Sequence, residues 1–305
     1  MLTAAVTSAV GDVVYVTHRH YADLAERLPG VREVIALEAG EGLGSLAARI
    51  PRVDSVVDLH GSARSRALCL RLGRKTRRLR TVGLRRRVRV ALKTPSRIQP
   101  VVERYCEAAG VAVPETPWMS LPAADEAGTL GLVPWAAHAT KRWPIEKWRA
   151  LAAAWEGPVV AFGGPEDGAV LHQIQRESGR DITVVAERGF EQTFEMMGRV
   201  QVVVGGDTGL THLAAVCGVP VVGIYGPTTS QDGFWCHPGL VVEAPMACRP
   251  CTRHGSEVCP IGDHACLESL SVKDVHAAVK RLLHPTAHRP PPEVDGTCSW
   301  LGGRR

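Results

Sequence analysis

Residues 201–228, QVVVGGDTGLTHLAAVCGVPVVGIYGPT, limit the possible folds more than any other stretch. Val202, Val203 and Val204 are apolar on consecutive positions, as in a strand covered on both faces of a parallel sheet. Gly205 and Gly206 interrupt the run, a short helix is expected from near Leu210, and Pro220 to Tyr225 reads as a second buried strand. Asp207, Thr208 and Gly209 thus fall at a helix start, where unpaired backbone N–H groups and the helix dipole attract a diphosphate. Thr208 and His212 are four residues apart and share one face of the first turn. The plainer alternative is an Asp207 N-cap with a histidine satisfied in the core.

Strands and helices alternate along the rest of the chain, the pattern of doubly wound α/β folding. Strands are expected at Asp12 to Thr17, Val53 to Leu59, Thr81 to Leu84, Pro158 to Phe162, Ile182 to Ala186, Val200 to Gly205 and Pro220 to Tyr225. Helical periods occupy Tyr21 to Leu28, Leu43 to Ile50, Arg97 to Ala109, Ile145 to Trp155, Gly168 to Ser178 and Gln192 to Gly198. A last one runs from Ser271 to Leu283, with Ser271 and Asp274 as a capping pair. Val113 to Pro134 is rich in proline, has no sustained period and reads as a linker. The expected architecture is two Rossmann-like domains, residues 1–120 and 121–283, with a disordered proline-rich tail over 284–305.

The opening of the chain departs from that plan. LTAAVTSAV reads as the helix that follows the first, central strand of such a domain, so this strand is expected upstream of Met1. Gly11-Asp12, coming after the helix, reads as its C-cap before the next strand.

A chain of 305 residues with 45% apolar content can bury one large core or two ordinary ones, and it holds no run of 18 apolar residues that would span a membrane. No leader is recognisable, so the nine cysteines are expected in a reducing compartment, the cytoplasm. The net charge of +5 hides an asymmetry. Fourteen Lys and Arg and no acid lie between Leu59 and Val102, leaving 22 basic against 31 acidic residues elsewhere. Such a run suits a solvated helix face or a surface for an anionic acceptor or membrane. Nucleic acid is disfavoured, because no aromatic residue interleaves with the arginines and no recognition-helix or zinc-finger spacing accompanies them.

Four segments together resemble glycosyltransferase family 9, the ADP-heptose:lipopolysaccharide heptosyltransferases. The match at 201–228 runs through Asp207, Thr208, Gly209, His212, Ala214, Ala215, Pro220, Gly226, Pro227 and Thr228. VVDLHGSARS at 56–65, KRWPIEKW at 141–148 and FGGPED at 162–167 follow the same family in the same order. A further piece, CRPCTRHGSEVCPIGDHACLESLSVKDV from Cys248 to Val275, is similar to the cysteine-bearing segment of the family's heptosyltransferase II branch. It departs from that segment by extra residues between Cys251 and Cys259 and by Asp263 before His264.

The resemblance implies a GT-B arrangement, two domains facing a cleft, and an inverting transfer of heptose from ADP-heptose to the lipopolysaccharide inner core. It implies that Lys141 brings a cation to the phosphates, where the bare residue reads as a surface lysine before a helix. It places Glu166, or less readily Asp167, against the ribose hydroxyls, where the alternative is an acid favoured by a helix start. Thr208, Gly209, Asp207 and His212 complete the donor site. It also places a general-base Asp in the missing first strand, upstream of Met1. A start site set too far downstream is preferred there over a chain that binds donor without efficient transfer. No cofactor and no catalytic metal are expected. Cys248, Cys251, Cys259 and Cys266 have the count of a four-thiolate zinc site but lack its second close pair, so free thiols in a packed loop are preferred to structural zinc. The arginine-rich stretch 64–93 is expected to meet the anionic acceptor and the inner face of the inner membrane. Two other classes are open: a sugar-nucleotide epimerase, which needs a carboxylate set not found in the first domain, and a nucleic-acid binder, whose affinity would fall steeply with salt and ignore ADP.

Overall fold

The computed structural model describes residues 1–94, 97–121, 128–186, 189–234, 237–284 and 299–300. The chain divides into two compact units: Met1–Leu84 with Gln99–Met119, and Arg85–Ile98 with Ser120–Arg305.

The first unit opens with helix α1 (Ala4–Val10), whose Ala4, Ala5 and Val6 are buried. It ends at Gly11, which takes φ +65° and returns its N–H to the Thr7 carbonyl, as the sequence reading expects of a C-cap. Strand β1 (Val13–His18), helix α2 (Ala22–Glu26) and strand β2 (Val31–Leu37) follow, with β1 and β2 paired in parallel. After α3 (Leu43–Arg49) a second parallel pair forms from β3 (Ser55–Asp58) and β4 (Lys75–Arg78), joined by α4 (Ala63–Leu72). Buried Asp58 closes the β3–α4 turn, accepting from the N–H groups of His60 at 3.1 Å and Gly61 at 2.9 Å and from the Ser65 hydroxyl at 3.1 Å. Among the described residues the two pairs remain separate two-stranded ladders, and only one residue of β3, one fewer than the two of β2, is fully buried.

The expected strand at Thr81 to Leu84 is a correction. The strand is β4, a few residues earlier, and Gly83–Leu92 is helix α5, which from Arg85 onward belongs to the second unit. The charged sequence KTRR hides β4, because an exposed ladder needs no apolar alternation. Helix α6 (Val101–Ala109) completes the unit.

The second unit is built on one seven-stranded sheet in the order β11-β10-β9-β8-β5-β6-β7, with every adjacent pair parallel. Its strands are β5 (Leu130–Val133), β6 (Val159–Phe162), β7 (Ile182–Val185), β8 (Val202–Gly205), β9 (Val221–Tyr225), β10 (Gly239–Glu243) and β11 (Ser299–Trp300). Helices α7 (Ile145–Ala154), α8 (Gly168–Ser178), α9 (Gly189–Met197) and α10 (Gly209–Val216) connect the inner strands, and α11 (Ala265–Glu268) and α12 (Val272–Leu283) follow β10. Ser271 caps α12, accepting from the Asp274 N–H at 3.1 Å and donating to the Asp274 carboxylate at 2.7 Å. Leu130, Leu132, Trp148, Leu151, Val202, Val204, Val222 and Val279 form the core.

β5 corrects the linker expected over Val113 to Pro134. Thr129-Leu130-Gly131-Leu132-Val133 carries no alternation because both faces are buried, so four apolar-type residues beside prolines look aperiodic. The tail expected to be disordered lies outside the described residues apart from His284 and β11, which pairs with Leu240 and Val241. The strand order reverses between β5 and β8, the point where open α/β sheets place their ligands, outside the carboxyl ends of the strands.

Candidate functional site

The loops leaving β5 and β8 meet at that reversal. Leaving β8, Gly205 and Gly206 are buried and backbone approaches closely: a Cβ on Gly205 would lie 2.4 Å from the Thr211 hydroxyl and 3.0 Å from Val133. At Gly205 only glycine leaves room for the Thr211 and Val133 side chains. Thr208 is the N-cap, its hydroxyl accepting from the Thr211 N–H at 3.5 Å, which displaces the alternative of an Asp207 cap. The N–H groups of Gly209 and Leu210, at the helix start, have no intrahelical acceptor.

Asp207 is thereby freed to point elsewhere. Its Oδ2 accepts from the Lys141 ammonium at 2.6 Å, and its Oδ1 stands 3.5 Å from His212 Nε2. Burial alone would raise the Asp207 pKa, but the hydrogen bond with His212 and the charge of Lys141 outweigh it and hold the carboxyl well below the usual range. His212 packs on the Phe234 ring, centroids 4.6 Å apart, and Phe234 meets Tyr225 edge-on at 4.7 Å. His212 Nδ1 and the Tyr225 hydroxyl are buried without a hydrogen-bond partner among the described residues. Burial first, then the charges of Asp207, Glu243 and Asp232, raise the Tyr225 pKa well above its ordinary value, so the hydroxyl stays protonated.

Lys141, Asp207, Thr208, Gly209 and His212 therefore come together. Glu166 lies on the same edge of the sheet, in the turn Pro165–Asp167 after β6, with its side chain exposed. Asp167 is committed to that turn, accepting from the Gly164 N–H at 2.7 Å.

The sequence reading missed the residues that brace this edge, and most of them sit in the cysteine-bearing segment. His264 Nε2 donates to the Thr140 carbonyl at 2.7 Å, and the Thr140 hydroxyl donates to the Ser256 carbonyl at 2.7 Å, fixing the turn Ala139–Lys141 that carries Lys141. Arg249 is held by Glu243 at 2.6 Å and donates to the Thr228 carbonyl at 2.8 Å, pinning the loop after β9. The only forewarning was that these residues stood inside a segment singled out for its cysteines. Among the described residues Cys248, Cys251, Cys259 and Cys266 form no disulfide. Burial raises the pKa of Cys251, and raises that of Cys266 to about 11. Burial is overcome at Cys259, where the N–H groups of Ile261, His264 and Gly262 lower it. Among the described residues no group of three or more His, Cys, Asp or Glu is placed to hold a metal ion. Further along the sheet edge a cavity of about 370 Å³ is lined by Arg89, Lys93, Glu243 and Arg249 and includes none of the Lys141 cluster. Among the described residues no helix is long and apolar enough to cross a membrane.

A family model described as glycosyltransferase family 9 (heptosyltransferase) matches residues 44–256. Lipooligosaccharide heptosyltransferase 2 of Campylobacter jejuni subsp. jejuni serotype O:2 is 27% identical over 164 residues, 50% of this chain and 50% of that protein. The match thus spans about half the length of that curated relative. In fold the chain is similar to E. coli heptosyltransferase WaaC with ADP, at a TM-score of 0.67 and 19% identity over 92% of this chain and 95% of that one. The same enzyme with ADP-2-deoxy-2-fluoro heptose gives 0.65 and 20%, over 94% and 95%.

Proposed function

Because the chain belongs to glycosyltransferase family 9, we propose that it is an inverting transferase that moves heptose from ADP-heptose to the inner core of lipopolysaccharide. The observation that carries this reading is the Lys141–Asp207 pair beside the open start of α10, at the reversal of the second unit's sheet. The ADP ligands named for the E. coli relative support an adenine nucleotide donor, and the name of the Campylobacter relative supports the acceptor class. The second unit takes the donor and the first takes the acceptor.

In the transfer an acceptor hydroxyl gives up its proton to a base and attacks the anomeric carbon, whose bond to the diphosphate oxygen breaks as ADP departs, through an oxocarbenium-like transition state. Negative charge gathers on the departing diphosphate. The N–H groups of Gly209 and Leu210 and the ammonium of Lys141 are fixed before the reaction, so they stabilise that charge without reorganising. Asp207 is the residue that fixes Lys141, and its pKa lies well below the usual carboxylate range. His212 steadies the phosphate or sugar, and Glu166 accepts from the ribose hydroxyls.

ADP should raise the unfolding temperature, since a ligand bound only by the folded state stabilises it by mass action. Equal stabilisation by UDP and GDP would sink the adenine donor. In an active enzyme Lys141→Ala should lower turnover about a hundredfold, the effect of about 3 kcal/mol of lost charge stabilisation. Turnover and ADP affinity both unchanged in that variant would remove Lys141 from the site.

A further inference from the structure

Helix α5, GLRRRVRVAL over Gly83–Leu92, sits inside out. Arg89 is 3% exposed and points inward, donating from Nε to the Asp232 carboxylate at 2.7 Å and from Nη1 to the Thr94 carbonyl at 3.1 Å. Arg86 donates to the Asp232 carbonyl at 2.7 Å. The opposite side carries the apolar residues: Leu84 is 75% exposed, Val88 42% and Leu92 69%. Spaced four apart, these three form one stripe about 12 Å long at 1.5 Å per residue. Exposed Arg85 and Arg87 stand on either side of it.

An apolar stripe turned to solvent on a helix anchored by its own arginines needs a covering. We propose that the outer face of α5 is a docking surface for an anionic lipid bilayer, with Leu84, Val88 and Leu92 entering the interface and Arg85 and Arg87 reaching the headgroup phosphates. Charge selects this occupant. The chain from Leu59 to Val102 has fourteen basic residues and no acid, and Asp232 is already engaged by Arg89. A second copy of the same face would bring arginines against arginines, and a nucleic acid would leave the leucines uncovered. Interfacial helices combine these features, an apolar stripe with basic flanks whose long side chains extend to the headgroups. The surface deepens the transfer reading, whose acceptor is held in a bilayer, and rests on that reading for the choice of partner.

The test is co-sedimentation of the full chain with vesicles of phosphatidylglycerol and phosphatidylethanolamine, against vesicles of phosphatidylcholine. The chain should bind the anionic vesicles only. Leu84→Ser with Leu92→Ser, and separately Arg85→Gln with Arg87→Gln, should each weaken binding by about tenfold or more. Leu70→Ser, an equally exposed leucine on α4, should change nothing. All five positions are exposed, so the variants should keep the wild-type circular dichroism and the ADP-dependent stabilisation. Unchanged vesicle binding by the leucine variant would overturn the proposal, leaving diffuse charge as the cause. So would a concentration-dependent dimer that the leucine variant abolishes, or RNA that competes the vesicles off. ADP stabilisation without vesicle binding would sink the docking surface and spare the transfer reading; vesicle binding without ADP stabilisation would do the reverse.

Discussion

Asp207 keeps its charge at acidities that neutralise an ordinary carboxylate, and stability should follow its proton. Its folded pKa lies below the unfolded value of about 3.9, so its stabilising share is complete above that pH and is lost as pH falls through the folded value. Each unit of depression is worth about 1.4 kcal/mol, reduced here because 30% of the side chain meets water. Lys141→Met removes a cation, brings the folded pKa back up and moves the acid limb of the stability curve to higher pH. Denaturant unfolding followed from about pH 7 to below the unfolded value of about 3.9 should show variant and wild type drawing together as the pH falls past that value; parallel curves would mean that Lys141 does not set the proton affinity of Asp207. Lys141, Asp207, Thr208 and His212 were legible in the sequence because their neighbours in the chain form a motif. Thr140, Ser256, His264 and Arg249 were not, since the first three act across more than a hundred positions and spacing carries no information about such pairings.

Among the elements, β8, β9 and α12 announce themselves by continuous apolar runs or by a capped amphipathic period, and the structure returns them within one or two residues. β5 and β4 did not, one for being buried on both faces and the other for being charged on an exposed ladder. α5 was given no bounds because Leu84, Val88 and Leu92 stand among arginines, in a run read for its charge rather than for its period. The β8–α10 turn allows a sharp prediction. Gly205→Ala would set a methyl group against Thr211 and Val133, costing about 1–3 kcal/mol of folding free energy as overpacking, and would shift the first turn of α10. Urea unfolding and ADP affinity should both fall. A variant with wild-type stability and affinity would show the turn to have slack.

At the scale of the molecule the two units differ in how completely their sheets are built. Among the described residues the second is a continuous seven-stranded sheet with β5, β6, β8 and β9 wholly buried, while the first holds two ladders of two strands, and isolated two-stranded ladders are marginal. Hydrogen exchange should therefore find the slowest amides in β5, β8 and β9 and faster ones in β1 and β3. Scanning calorimetry should resolve two transitions, of which ADP raises only the later one. A single transition would mean that the units stand or fall together. The ladders of the first unit carry another consequence, for handling. Among the described residues each of their strands has one side without a ladder partner. Lys75, Arg77 and Arg78 protect β4, and Arg32 and Glu33 protect β2, because charged side chains discourage a neighbouring chain from pairing there. β1, VVYVTH, has no such guard. Concentrated solutions should stack through it edge to edge into slow-growing, β-rich aggregates, and a lysine in place of Val16 should keep them clear.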